Sequence, residues 1–250
     1  MKRVAEFSKH LNSVYIERDK KSILELMDKH HTNELIVIED KHAKFYNRSD
    51  INTPFFFHPS MAALRINRLK LGDNDLMIQL AELKTGDTFL DCTLGLASDS
   101  IVASYVVGSE GKVVGLESEN VLATIVKDGL INSIYEDKDL TQAMRNIEVI
   151  NINHLHKLRS LPENSFDVVY MDPMFRIKIN NSTPISPLRT LANQNSLLVE
   201  TITEARRVAK RKVILKETTK SNEFERLGFK KVIRSSSVTY GVITIGEIII

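Results

Sequence analysis

Apolar residues along this chain fall into two alternating rhythms. Compact runs at 88–90, 112–116, 147–152, 166–171 and 213–215 are rich in Val, Ile, Leu and Phe and end at polar turns. Such runs read as strands buried on both faces, the signature of a parallel sheet. Between them, apolar positions recur three and four apart, at 101, 102, 105 and 106 and again at 121, 122, 125, 126, 130, 131 and 134. That spacing predicts helices packed on the sheet, and the alternation of the two rhythms predicts an α/β fold.

The ends of the chain differ from this middle. Residues 1–53 read as a small N-terminal α/β appendage, with helices over 4–11 and 22–29 and strands at 14–16, 34–38 and 44–46; residues 54–250 form the main domain. Pro54 and Pro59 with Phe55, Phe56 and Phe57 mark the junction, because prolines interrupt regular structure and three aromatics must bury somewhere. A helix over 61–68 follows, and after a cap around Asp75 a second helix leads into the strand at 88. Near the C-terminus a helix over 191–208, a short helix over 224–227 and paired runs at 230–234 and 237–245 predict a closing antiparallel hairpin.

Composition narrows the class. At 250 residues with 42% hydrophobic, the chain can build a core without staples. Cys92 is the single cysteine, so no intramolecular disulfide forms, which fits a reducing compartment. No apolar run approaches the roughly 18 residues of a membrane span, and the expectation is a cytoplasmic protein without membrane contact. The net charge of +2 is compatible with nucleic acid without arguing for it. Two basic stretches are either RNA-facing or simply solvated: Arg65, Arg68 and Lys70 on one helix, and Arg206, Arg207, Lys210, Arg211 and Lys212. His30, His31 and His42 lack the spacing of metal ligands, since adjacent helical side chains point apart, and no metal is expected.

Chemistry concentrates at strand ends. The strand at 88 ends on Asp91, a turn bearing Gly95 follows, and Ser98 or Asp99 caps a helix that stops at Gly108. Glu117 ends the next strand, about 20 residues on, where a carboxylate can grip both hydroxyls of a ribose. Dinucleotide enzymes and S-adenosylmethionine (SAM) methyltransferases share that arrangement. A dinucleotide turn needs G-x-G-x-x-G, which is absent, and an aspartate would repel a diphosphate while suiting the cationic methionine end of SAM. After the third strand, Asn153 and His154 either meet an adenine edge or serve as a cap and a surface residue.

The fourth strand ends in Asp172, Pro173, Met174 and Phe175. The lone pair of an exocyclic base amine is delocalised, so the amine is a weak nucleophile until its N–H groups are held. The Asp172 carboxylate and a backbone carbonyl near Pro173 can accept those N–H groups, and Phe175 can stack on the base. The plainer alternative is an Asp-Pro turn with a buried Phe. The residues 176–189 beyond it form a long polar loop that suits a substrate-facing lid.

Taken together, residues 90–99, Leu116 with Glu117, residues 128–130, residues 170–175 and residues 213–216 resemble the class I SAM-dependent methyltransferases. Within that class the chain is similar to the bacterial small-subunit ribosomal RNA guanine-N2 methyltransferases, over about residues 57–245. The resemblance implies a Rossmann-like sheet with a C-terminal antiparallel hairpin, SAM as cofactor, and ribosomal RNA or the small ribosomal subunit as partner. Asp172, Pro173 and Phe175 would be catalytic. SAM would be held by Ser98, Asp99, Glu117, Ser118, Asn153, His154 and Asp172, beside the Asp91 and Gly95 turn. Departures include Ala97 where the family has its second glycine, Ser118 where it has an arginine, and Asn153-His154 where it has a serine pair. Acceptors of another kind, a small molecule or a protein, and a non-catalytic RNA-binding role stand as alternatives.

Overall fold

The computed structural model describes residues 2–173, 191, 196–233 and 236–247. The chain opens with helices α1 (Lys2–Leu11) and α2 (Ile23–Lys29), then strands β1 (Glu34–Ile38), β2 (Ala43–Asn47) and β3 (Phe55–Phe56). These strands form a separate antiparallel sheet in the order β1-β2-β3. Ser22 starts α2 with a reciprocal capping box to Glu25, which satisfies two otherwise orphaned backbone donors. The strand expected at 14–16 does not form. Those residues have no ladder partner, and Val14 is 87% exposed, so local β-propensity finds nothing to pair with.

The main sheet comprises β4 (Thr88–Asp91), β5 (Lys112–Glu117), β6 (Ile147–Asn151), β7 (Phe166–Met171), β8 (Ala209–Thr218), β9 (Lys230–Lys231) and β10 (Val238–Thr244). Its order is β6-β5-β4-β7-β8-β10-β9. Strands β4 to β8 pair in parallel, and β10 runs antiparallel to both β8 and β9, giving the closing hairpin expected. Side chains alternate between two apolar layers. Phe89, Val113, Val168, Tyr170 and Ile214 enter one; Leu90, Val114, Val169, Met171, Val213 and Leu215 enter the other. Burial on both faces explains why these strands read as unbroken apolar runs.

Helices α3 (Ser60–Lys70), α4 (Leu76–Ala81), α5 (Ser98–Val107), α6 (Asn120–Asn132) and α7 (Lys138–Arg145) bury residues in the first layer. Helices α8 (His154–Ser160), α9 (Val199–Val208) and α10 (Glu223–Arg226) serve the second. Helix α7 is absent from the sequence reading, although Asp137 caps it and Leu140, Ala143 and Met144 bury at helical spacing. Its polar remainder masked that pattern. Helix α6 stops at Asn132, so Ile134 stands exposed beyond it. Of the helix expected over 191–208, α9 covers the last ten residues, and 192–195 lie outside the described residues.

The N-terminal sheet shares a core with the main one. Phe7, Phe45 and Phe55 join the same apolar cluster as Ile101 and Leu122, and Arg3 grips Asp128 of α6 with two bonds of 2.6 Å. Phe57 packs against Gly129 of α6 so closely that a Cβ there would overlap its ring. Gly129→Ala should therefore destabilise the protein by about 1–3 kcal/mol through overpacking, despite alanine's better helix propensity. Thermal unfolding checks this, and a Phe57→Ala background should reduce the cost of the second change; a stabilised single variant would show that Phe57 does not anchor the junction.

Candidate functional site

Strand order reverses between β4 and β7, since β5 and β6 extend one way from β4 while β7 and β8 extend the other. Ligands bind open α/β sheets beyond the carboxyl ends of the strands at such a switch point. A cavity of about 580 Å³ lies there. Gly95, Glu117, Ser118, Asn153, His154, Asp172 and Pro173 all line it, with Leu197, Leu198 and Thr201 on the α9 side. Sequence-predicted residues from four separate strand ends thus meet in one space. Asp91, Ser98 and Asp99 do not line it. Phe175 and the expected lid at 176–189 lie outside the described residues.

The turn after β4 is braced from both sides. Asp91 is 1% exposed and accepts the Thr93 N–H at 2.9 Å and the Ser100 hydroxyl at 2.7 Å. It tethers the turn to α5 rather than facing a ligand, and burial pushes its carboxyl up to about 7. Leu94 donates its N–H to the Leu116 carbonyl and fills the space above Gly115, where a Cβ would collide with it. Gly95 takes the left-handed conformation at φ +50°, with no atom closer than 3.9 Å to where a Cβ would stand. Its backbone therefore leaves the cavity open. The expected side-chain cap at Ser98 or Asp99 is not formed. Ala97 is the N-cap, left-handed at φ 60°, and Ser98 and Asp99 lie inside the first turn, where Asp99 meets Arg65, Tyr170 and Lys216.

Glu117 is poised on the opposite side of this turn. Its two carboxylate oxygens accept the Gly95 N–H at 3.2 Å and the Glu119 N–H at 3.0 Å, and burial raises its pKa above the ordinary glutamate range. Asn151 holds the strand end through the Glu117 and Ser118 carbonyls at 2.8 and 3.1 Å. The Ser118 backbone N–H also reaches this carboxylate, so three main-chain donors fix it at the cavity wall, and its two oxygens still offer acceptor capacity to a hydroxyl there. Asn153 caps α8 by accepting the Leu155 N–H at 3.0 Å, and its neighbour His154 lines the cavity with its pKa lowered by burial. The capping alternative for Asn153 therefore holds together with a place in the cavity wall.

Asp172 sits on the other wall. In the parallel register Met171 lies opposite Leu215, so Asp172 and Lys216 come out side by side at the sheet edge. Lys216 Nζ lies 2.6 Å from Asp172 Oδ2 and 2.9 Å from Asp99 Oδ2. Asp99 also accepts the Tyr170 hydroxyl at 2.8 Å and an Arg65 N–H, while Arg65 pairs with Asp75 at 2.7 Å. Burial alone would raise Asp99, but Lys216 and Arg65 outweigh it and hold the carboxyl well below its usual range. Burial pushes Asp172 up to about 6, with the Lys216 charge pulling the other way. The sequence marks Lys216 as the tip of the fifth strand, within the run 213–216, and assigns it no charge partner. Aligning the tips of the fourth and fifth strands would have found it.

Most residues of the basic stretches find acidic partners. Arg65 points into the buried network, and Lys70 pairs with Asp137 at 2.8 Å and Asp139 at 2.7 Å. Arg207, Lys210, Arg211 and Lys212 pair with Glu204, Asp167, Asp87 and Glu82. Most of that cluster lies at the start of β8, the sheet edge opposite the cavity. Among the described residues no three His, Cys, Asp or Glu side chains converge as a metal site would need, and no helix is long and apolar enough to cross a membrane.

Comparison with known proteins agrees with this geometry. The family described as "Putative SAM-dependent methyltransferase" matches residues 17–243. The protein YpiP of Bacillus subtilis, which has no described function, is 40% identical over 97% of this chain and 94% of its own length. Ribosomal RNA small subunit methyltransferase J of Buchnera aphidicola is 25% identical over 72% of this chain and 75% of its own. In fold, the chain superposes on the SAM-dependent methyltransferase NGO1261 of Neisseria gonorrhoeae with a TM-score of 0.64 at 17% identity, covering 86% of this chain and 84% of that one. The open backbone at Gly95 and the buried carboxylate of Glu117 fit SAM, and the chain belongs to the SAM-dependent methyltransferase family.

Proposed function

We propose that this enzyme methylates an exocyclic amine, N2 of a guanine in small-subunit ribosomal RNA. The observation that carries the reading is the placement of Asp172 and Pro173 on the same cavity as Gly95 and Glu117, so that an acceptor-holding carboxylate faces a ribose-holding one. SAM bound there supplies a methyl group already activated by its sulfonium. Glu117 accepts the ribose hydroxyls, and the Gly95 turn lets the backbone come close. Asp172 and the carbonyl near Pro173 accept the two N–H groups of the acceptor and aim its lone pair at the methyl carbon. Once the methyl group has moved and S-adenosylhomocysteine is left, the nitrogen sheds one proton to the Asp172 carboxylate and on to solvent; rate enhancement comes mainly from orientation and exclusion of water. The Asp172-Pro173-Met174-Phe175 run supports the amine, with Phe175 as the stacking plane, and the name of the Buchnera relative supports the ribosomal acceptor.

A second reading, methylation of a small molecule or a protein, gains from the basic cluster, four of whose residues are ion-paired at the edge opposite the cavity rather than beside it. Transfer of labelled methyl from SAM to small ribosomal subunits, followed by nucleoside analysis, separates the two. N2-methylguanosine is the expected product; label in metabolites or protein but not in ribosomal RNA would establish the second reading.

Two substitutions divide the cavity. Glu117→Ala should weaken SAM binding by about 10-fold or more in a calorimetric titration, the loss expected of charged hydrogen bonds to the ribose. Undiminished affinity would remove Glu117 from the cofactor site, and no binding of SAM to the wild type would point to a non-catalytic role. Asp172→Ala should lower methyl transfer on the order of 100-fold while retaining most SAM affinity. Unchanged turnover would show that Asp172 does not orient the acceptor.

A further inference from the structure

We infer that Lys216 is a positioning residue for the transfer: it occupies one oxygen of Asp172 and leaves the other as the single carboxylate acceptor for the substrate N–H. The inference rests on the role of Asp172 proposed above. Lys216 Nζ stands 2.6 Å from Asp172 Oδ2, and among the described residues no donor takes Oδ1. The Asp172 backbone N–H is held at 2.5 Å by the Thr93 hydroxyl oxygen, so the residue is fixed at both its main chain and its side chain.

The ammonium itself cannot swing away. Its second contact, Asp99 Oδ2 at 2.9 Å, is locked in turn by Tyr170 and Arg65. Asp172 and Asp99 outweigh the burial of Lys216 and keep it protonated well above the ordinary lysine range, so it is no base and takes no part in bond making. Its effect on Asp172 is twofold. It stops the carboxylate from rotating, and it keeps that buried group ionised, hence an acceptor; a protonated acid would present an O–H where the amine needs a lone pair. One N–H then goes to Oδ1, the other must go to a backbone carbonyl, and the nitrogen lone pair has one direction left.

The alternative is that Lys216 only neutralises Asp99 and so pins α5 to the sheet. Carbon-13 labelling of aspartate carboxyls separates the two without any acceptor. The Asp172 signal is assigned by its loss in Asp172→Asn and titrated in the wild type, Lys216→Met and Lys216→Arg. Burial and the Asp99 and Glu217 charges all push the Asp172 carboxyl up and Lys216 is set against them, so removing it should raise the Asp172 midpoint by about one pH unit or more, and arginine should restore it to near the wild-type position. An unchanged midpoint in folded Lys216→Met overturns the proposal. Lys216→Gln replaces the methionine variant if that one does not fold, and failure of both to fold assigns Lys216 to the core and overturns the proposal as well.

The rate gives a second readout. With small ribosomal subunits as acceptor, the acidic limb of the kcat profile should move to higher pH with the titration in Lys216→Met, so activity lost at pH 7 recovers in part by pH 9 while KM for SAM stays put. A uniform fall across pH counts against the proposal. Inactive wild type on that acceptor would overturn the ribosomal reading alone, because the carboxyl titration still decides the role of Lys216.

Discussion

Two half-buried cations are shared among three carboxylates at the heart of this protein: Arg65 between Asp75 and Asp99, and Lys216 between Asp99 and Asp172. Taking such charges out of water costs several kcal/mol each, and only close, well-directed partners offset it. The chain of contacts therefore tolerates little displacement, and it joins α3, α5, β7 and β8 into one unit. The start of α5 is held by Asp99 from within and by Asp91 through Ser100, which sets the Gly95 turn; Asp172 is held by the far end of the same chain. Both halves of the cavity inherit their geometry from these ions. Asp91, another buried carboxylate beside this chain, pairs with no cation among the described residues, and burial pushes it up to about 7.

Sheet topology decides what the ions can position. Parallel strands all deliver their carboxyl ends to one edge, so Asp91, Glu117 and Asp172 gather there although they are far apart in sequence. Reversal of strand order beside β4 opens the crevice between them. The same polarity sends the start of β8, with its paired Lys and Arg residues, to the other edge. Chemistry and solubility are thus segregated by strand direction.

The main-sheet strands were legible because burial on both faces leaves continuous apolar runs, and Gly95, Glu117 and Asp172 were legible because they end such runs at the expected intervals. What one-dimensional spacing cannot carry is the partner of each charge. Arg65 reads as surface-facing from its helix, yet its partner Asp99 is 34 residues away, and Lys216 reads as a strand tip without a charge partner until β7 and β8 are laid in register. Asp99 misled for a related reason: an aspartate at a helix start suggests a cap, but the pull of two cations outweighs a backbone hydrogen bond. The opposite error appears at 14–16, where local propensity is real but no neighbouring strand exists to use it.

The order in which the chain leaves the ribosome gives the ion chain another meaning. Arg65, Asp75 and Asp99 emerge close together, and β4 finds β5 within a short span, but β7 follows only at Phe166 and Lys216 later still. Until then one edge of β4 is unpaired and Asp99 has only one of its two cations, a partly built sheet of the kind prone to mispairing. Pairing of β7 closes that edge, and β8, which brings Lys216, then completes the charge balance. A chain that stops short of β8 therefore lacks the cation that holds Asp172 in the cavity wall.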